Sequence, residues 1–255
     1  MSRTKSIASK LLPALSGLLL FLQSALVITG GAVRVTGSGL GCPTWPECTP
    51  GSYTPVPGQA EGQLHAWIEF GNRLLTFALL FSALAAVIYV LKSGRKDLRS
   101  LAAGQVLGII GQGVLGGITV LTDLHPLPVA GHLLLSMLLI AGATSLYSRR
   151  HEPQVKISAP TKTVSLLSRT HIAISFIVLI LGTIVTGSGP HAGDEKAQRF
   201  GFDIRSVAIL HADAVILLMG LTIALLVAAS VTRSTKKAIY IFFGISLAQG
   251  GVGYA

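Results

Sequence analysis

"IEFGNRLLTFALLFSALAAVIYV", residues 68–90, decides the fold class. An apolar run of about 20 residues is long enough to cross a hydrocarbon core of about 30 Å. This one carries Glu69, Asn72 and Arg73 near its start. Ionised groups are costly in lipid, so such residues turn towards a bundle interior and have a use there. Six further runs of this kind lie around it. Together the seven spans read as roughly 11–33, 66–90, 101–121, 127–147, 165–187, 206–231 and 237–255. The residues are 51% apolar and only 12% charged, about half the charged fraction of a soluble domain. The reading is an all-α polytopic membrane protein, multi-pass in the cytoplasmic membrane and surrounded by lipid.

A formal charge of +10 suggests nucleic acid until it is mapped onto the spans. Arg3, Lys5 and Lys10 precede the first span, and Lys92, Arg95, Lys96 and Arg99 follow the second. Arg149, Arg150, Lys156, Lys162 and Arg169 follow the fourth, and Arg233, Lys236 and Lys237 the sixth. The intervening connections hold mainly Lys196, Arg199 and Arg205, offset by Asp194, Glu195 and Asp203. Alternation of this kind is the positive-inside signature and places the N-terminus in the cytoplasm. The basic character therefore concerns topology, and no nucleic-acid partner is expected. The first span is too long for a signal peptide and lacks a small-x-small cleavage site, so it reads as a retained helix.

The two cysteines, Cys42 and Cys48, sit in "GCPTWPECTP", in the first outward loop. Outside the cytoplasmic membrane paired thiols tend to be oxidised. A structural disulfide and a redox-active pair both fit the spacing.

Two stretches recur. Val35-Thr36-Gly37-Ser38-Gly39 returns as Val185-Thr186-Gly187-Ser188-Gly189, and Gln112-Gly113 with Gly116 returns as Gln249-Gly250 with Gly253. The chain reads as two tandem four-helix bundles related by a parallel internal repeat, residues 1–150 and 165–255. Only three spans fall in the second bundle, so an eighth helix is expected beyond this sequence. Its counterpart of His132 would lie roughly fourteen residues past Ala255.

On a helix His65, Glu69, Asn72 and Arg73 share one face. They read either as a neutralised polar seam between helices or as part of a site. His132 in "VAGHLLLSM" and His211 in "AILHADAVI" lie near the outer ends of spans four and six. With Asn72 they fall at a common depth, about 8–9 Å below the outer surface at about 1.5 Å rise per residue. Zinc would need three or four converging ligands. A heme needs one or two imidazoles and small residues where the ring approaches. Gly104, Gly108, Gly111, Gly113, Gly116 and Gly117 line span three, and Gly30 and Gly31 lie in span one. They serve equally as close-packing residues. Arg34 is placed to meet an anionic propionate. His125, His151, His171 and His191 read as solvated or interfacial, and Asp213 has no assigned role.

Four strings, "GGAVRVTGSGLGCPTWPEC" at 30–48, "IEFGNRLL" at 68–75, "GQGVLGGITVLTDLHPLPVAGH" at 111–132 and "IVTGSGPHAGD" at 184–194, together resemble the heme A synthase family. The resemblance implies two four-helix bundles with a heme site in each. The N-terminal half would hold the substrate, heme O, and the C-terminal half a heme b cofactor. The implied reaction is oxidation of the C8 methyl of heme O to a formyl group, for terminal oxidase assembly. His132 and His211 become iron ligands, Glu69 a carboxylate needed for activity, and Cys42 and Cys48 a disulfide near the substrate. Arg34, His65, Asn72 and Arg73 are candidates for the substrate-heme pocket. Heme O synthase and an electron acceptor are the implied partners, and an oligomer is compatible with the family. The family has histidine where this chain has Asn72, so His132 alone is expected to hold the substrate heme. Two other classes compete: a b-type cytochrome passing electrons, and a small-molecule transporter.

Overall fold

The computed structural model describes residues 2–151, 160–190, 193–194, 197–228 and 233–254, with side chains from residue 11 to 252. His191, Lys156, Glu195 and Lys196 lie outside the described residues. Among the described residues seven helices follow one another: α1 (Ser2–Val35), α2 (Gln63–Ser93), α3 (Arg99–Leu121), α4 (Pro126–Ser148), α5 (Lys162–Ser188), α6 (Ile204–Val227) and α7 (Arg233–Tyr254). A 3-10 turn, Lys96–Leu98, precedes α3. Among the described residues the remaining regular pairing is a single bridge, Thr49 with Ser52.

Six of the helices, α1 to α6, are long and apolar enough to cross a membrane. The seventh expected span does form a helix, α7, but it is not among those six. Lys236, Lys237, Gln249 and paired glycines dilute its apolar surface. Large apolar side chains such as Phe77, Phe81, Leu107 and Ile110 stay exposed on the outside. That is the arrangement lipid requires, because helices are the spanning elements that satisfy their own backbone groups. The protein is an all-α, multi-pass membrane protein.

The chain forms two compact units, residues 1–154 with 186–201, and residues 155–185 with 202–255. In the first unit α1 packs on α2, α2 on α3, α3 on α4 and α4 back on α1. This ring of four puts α2 and α4 on opposite corners. Its tight core includes Leu12, Leu19, Ala83, Ala86, Val90, Ala102 and Ala143. Small residues at these contacts let the helices approach closely, which is what drives association where lipid is as apolar as the protein. A buried amide pair crosses the core: Gln23 Nε2 donates to Gln105 Oε1 at 3.0 Å, and Gln105 Nε2 donates to Leu139 O at 3.0 Å.

Helix ends follow from local sequence. Gly94 ends α2 in the left-handed conformation, φ 76°, its N–H reaching Leu91 O. Pro126 starts α4 with His125 at the N-cap. The core above lies towards the Gly94 end of the bundle. The opposite end, made by the last turns of α1 and α3 and the first of α2 and α4, is capped by residues 36–62.

In the second unit α6 packs on α7. Asp203 caps α6, accepting the Ser206 N–H at 2.9 Å and the Ser206 hydroxyl at 2.7 Å. His171 Nε2 lies 3.0 Å from Thr222 Oγ1 and meets Phe242 edge-on at 5.3 Å. His171 is therefore a half-buried, hydrogen-bonded residue and not a solvated one. A lone histidine near a helix end carries no signal of the partner waiting on the next helix.

Candidate functional site

The capping loop is bonded to α2 through the polar residues that stand out in the sequence. Cys42 and Cys48 are joined by a disulfide, and both are fully buried. Glu69 Oε2 accepts the Cys42 N–H at 2.6 Å. Glu69 Oε1 accepts from Arg73 Nε at 3.1 Å and Nη2 at 2.6 Å. Arg73 Nη2 also donates to Cys42 O at 2.8 Å, and Nη1 to Thr44 O at 3.0 Å and Glu47 O at 3.2 Å. The guanidinium thus fills the mouth of the disulfide-closed loop, and its fork suits several acceptors at once. Glu69 is 6% exposed. Unpaired, it would carry a large desolvation cost; here cation and amide offset it. The polar seam inside the apolar run is a clasp.

Gly41 makes the clasp possible. A Cβ at this position would press on the backbone of His65 and Ala66, 2.8 Å from Ala66 N. Loop and helix backbones touch there, and no other residue fits. Gln59 Nε2 donates to Gly41 O and adds a second tie.

The expected common face of His65, Glu69, Asn72 and Arg73 divides. His65 Nδ1 lies 3.3 Å from Ser38 Oγ and 3.3 Å from Gly37 O, against the start of the cap. Asn72 points to α1, its Oδ1 accepting the Thr29 hydroxyl at 2.7 Å. Arg34, in the last turn of α1, donates through Nη2 to Thr186 O at 3.4 Å. A surface cavity of about 180 Å³ involves His65, Glu61 and Asp194 but neither Glu69 nor His132.

His132 turns into the bundle. A Cβ on Gly116 of α3 would stand 3.3 Å from its Cε1. Gln112 Nε2 donates to His132 O at 3.0 Å and to Ser136 Oγ at 2.7 Å, pinning this turn of α4. The ring itself is not held: His132 Nδ1 is buried without a partner among the described residues. In the second unit His211 shows the same state. A Cβ on Gly182 would be 3.2 Å from its Cε1, and His211 Nδ1 is buried without a partner. An unmet buried polar atom costs about 1–3 kcal/mol. Two imidazoles seated on glycines with unmet nitrogens fit an axial role to a porphyrin iron, which takes one or two such rings. Among the described residues no group of three or more His, Cys, Asp or Glu side chains could hold a metal ion.

Residues that sequence reasoning passed over now stand in the site. Trp45 of the loop lies over Gly117, where a Cβ would be 2.6 Å from Trp45 Cδ2. Thr29 and Ser136 orient their neighbours. Trp45 lies inside the cysteine string, and Gln112 inside the repeat, but neither identity announces a contact.

Comparison with known proteins follows the same outline. The COX15-CtaA family model, described as cytochrome oxidase assembly protein, matches residues 14–193 and so includes the clasp, the disulfide and His132. The chain is similar to the heme A synthase of Shewanella oneidensis, 28% identical over 176 residues, covering 64% of this chain and 51% of that protein. It is similar to that of a Methylobacterium species (strain 4-46), 28% identical over 208 residues, 66% of this chain and 56% of that protein. A shorter match, 33% identical over 72 residues, covers 28% of this chain and 21% of the heme A synthase of Geobacillus kaustophilus. The chain thus spans about half the length, or less, of these relatives. No solved structure matches it. With a bundle of α1 to α4 capped by a disulfide loop, and a family match running through it from residue 14 onward, the chain belongs to the COX15-CtaA family of cytochrome oxidase assembly proteins, the family of the heme A synthases.

Proposed function

We propose that this protein is a heme A synthase, a membrane oxidoreductase that converts the C8 methyl of heme O to a formyl group. The observation that carries the reading is His132: partly buried in the capped end of the bundle, seated on Gly116, with its buried Nδ1 unmet among the described residues. His132 would hold the substrate heme, and His211 would be an axial ligand of a heme b. When bound, iron would supply the redox chemistry. The N-terminus lies in the cytoplasm on this reading, because the basic connections alternate with the capped side. Heme O synthase and an electron acceptor are the partners it requires.

The chain's own residues take defined parts. Glu69 already accepts three hydrogen bonds, out of about four lone-pair sites on a carboxylate. A carboxylate so occupied is a fixed negative charge rather than a free base. Its contribution is to stabilise positive charge that develops during methyl oxidation, with Arg73 holding it in place. Asn72 is a poor iron ligand, and its oxygen is turned to Thr29. His132 therefore acts alone on its heme. The disulfide loop covers the site and keeps water out.

Hemes extracted from membranes carrying the full chain, supplied with heme O, test the proposal. Heme A is expected, and Glu69→Gln should stop formyl production while heme remains bound. Heme b alone would instead support an electron-transfer cytochrome, and a chain without heme a transporter.

A further inference from the structure

Two rings straddle one turn of α3. The His132 imidazole from α4 stands against Gly116, and the Trp45 indole from the capping loop stands against Gly117. The Gly117 contact is tighter than a side chain would allow, and a Cβ at Gly116 would crowd the imidazole. Cβ positions would be 3.3 Å from His132 Cε1 at Gly116, and 2.6, 2.8 and 3.0 Å from Trp45 Cδ2, Cε2 and Cε3 at Gly117. Trp45 does not hold itself there. Its nearest anchors are the carbonyls on either side, Thr44 O and Glu47 O, both gripped by Arg73 Nη1. Glu69 in turn fixes the guanidinium.

The geometry points to Trp45, 42% exposed at the rim of the cap, as the residue that shields the His132 ring on the loop side, and to Arg73 as the positioning residue that seats it. The chain of contacts runs from the α2 ion pair through the loop carbonyls to the indole, and from the indole to the α3 turn whose Gly116 meets His132 of α4. An indole is a large, stiff, mostly apolar plate. Seated on the glycine next to the one that meets the imidazole, it limits what small molecules reach a ring held by His132. Lysine at position 73 keeps the charge but is a point cation without the planar fork, so it would hold Glu69 and release the carbonyls. The shielding role rests on the proposed heme-binding reading; the seating of Trp45 does not.

The chain has two tryptophans, and Trp67 is half exposed, edge-on to Phe70 at 5.6 Å. In a Trp67→Phe background, fluorescence of the purified full chain in detergent reports Trp45 alone. Arg73→Lys and Gly117→Ala should each red-shift the emission and raise acrylamide quenching, with far-ultraviolet circular dichroism unchanged. Arg95→Lys, at the far end of the bundle, should do neither. Unchanged emission in folded Arg73→Lys overturns the positioning role.

Hemin is then titrated in, and cyanide entry is followed at the Soret band. Trp45→Ala should retain hemin and admit cyanide faster, as should Gly117→Ala. The double variant should match Trp45→Ala alone, because the glycine matters only where the indole sits. Unchanged cyanide entry in Trp45→Ala overturns the shielding role. A Soret band that survives His132→Ala sinks the heme-binding reading instead, and leaves the fluorescence result standing for the seating of Trp45.

Discussion

Replacing Arg73 by leucine tests the clasp most directly. The guanidinium makes five hydrogen bonds, two to Glu69 and three to the carbonyls of Cys42, Thr44 and Glu47. Leucine removes all five and leaves Glu69 with the Cys42 N–H alone. Stripping one partner from a buried pair costs about 3–5 kcal/mol, mostly because the other charge stays buried. The Arg73 side chain is 20% exposed and that of Glu69 8%, so water screens part of the loss, and about 3 kcal/mol is expected. Arg73→Leu with Glu69→Gln should be less destabilised than Arg73→Leu alone, by about 2 kcal/mol, since contacting residues couple by about 0.5–3 kcal/mol. Unfolding of the purified chain by graded sodium dodecyl sulfate in mixed micelles, followed by tryptophan emission, measures all four corners of the cycle. A cost for Arg73→Leu below about 1 kcal/mol, the range of exposed ion pairs, would refute the reasoning, as would simple additivity.

Three further outcomes follow from other contacts. Gly41→Ala should separate loop from helix, at a cost of about 1–3 kcal/mol as for other overpacking changes, and thiol labelling after mild reduction should reach Cys42 faster than in the parent chain. Gln105→Leu strips partners from Gln23 Nε2 and Leu139 O, so it should cost about 1–2 kcal/mol in the same detergent titration. The Gln23→Leu, Gln105→Leu pair should cost less, because fewer buried groups are left unmet. At the start of α6 the Ser206 hydroxyl and N–H hold the Asp203 carboxyl below its ordinary range. A depressed folded-state value means that the cap's contribution is complete above the unfolded carboxyl value, about 3.9, and is lost as pH falls through the lower folded value. Amide exchange at Ser206, corrected for its intrinsic pH dependence, should stay protected down to about pH 4 and lose protection below it, while Asp203→Ala should lack that protection throughout.

The site was legible in its parts. Glu69 and Arg73 stand out because their charge is costly at that place in the chain. Cys42 and Cys48 stand out because they are the sole thiols. What they do together was not legible. Glu69 meets an amide 27 positions away, and Arg73 meets carbonyls 26 to 31 positions away. Backbone acceptors have no side-chain identity, so no pattern of letters marks them. Asn72 shows the limit from the other side: it lies beside Arg73 on the helix, yet it bonds to Thr29 on α1. Helical periodicity gives a direction around an axis but not the helix that lies in that direction.

Hydropathy and charge are properties each residue carries with it, and a bilayer acts on them one segment at a time. The sequence alone therefore determined seven apolar helices among the described residues, the polar stripe of α2 and the candidate ligands His132 and His211. The seventh expected span forms α7, whose described residues do not reach the hydropathy of the other six helices. Only the tertiary structure decided that the buried ion pair clasps a disulfide loop, that Trp45 reaches Gly117, and that each imidazole is left with an unmet nitrogen. Those outcomes depend on which surfaces the folded chain brings within bonding distance, and on which partners the packing leaves out.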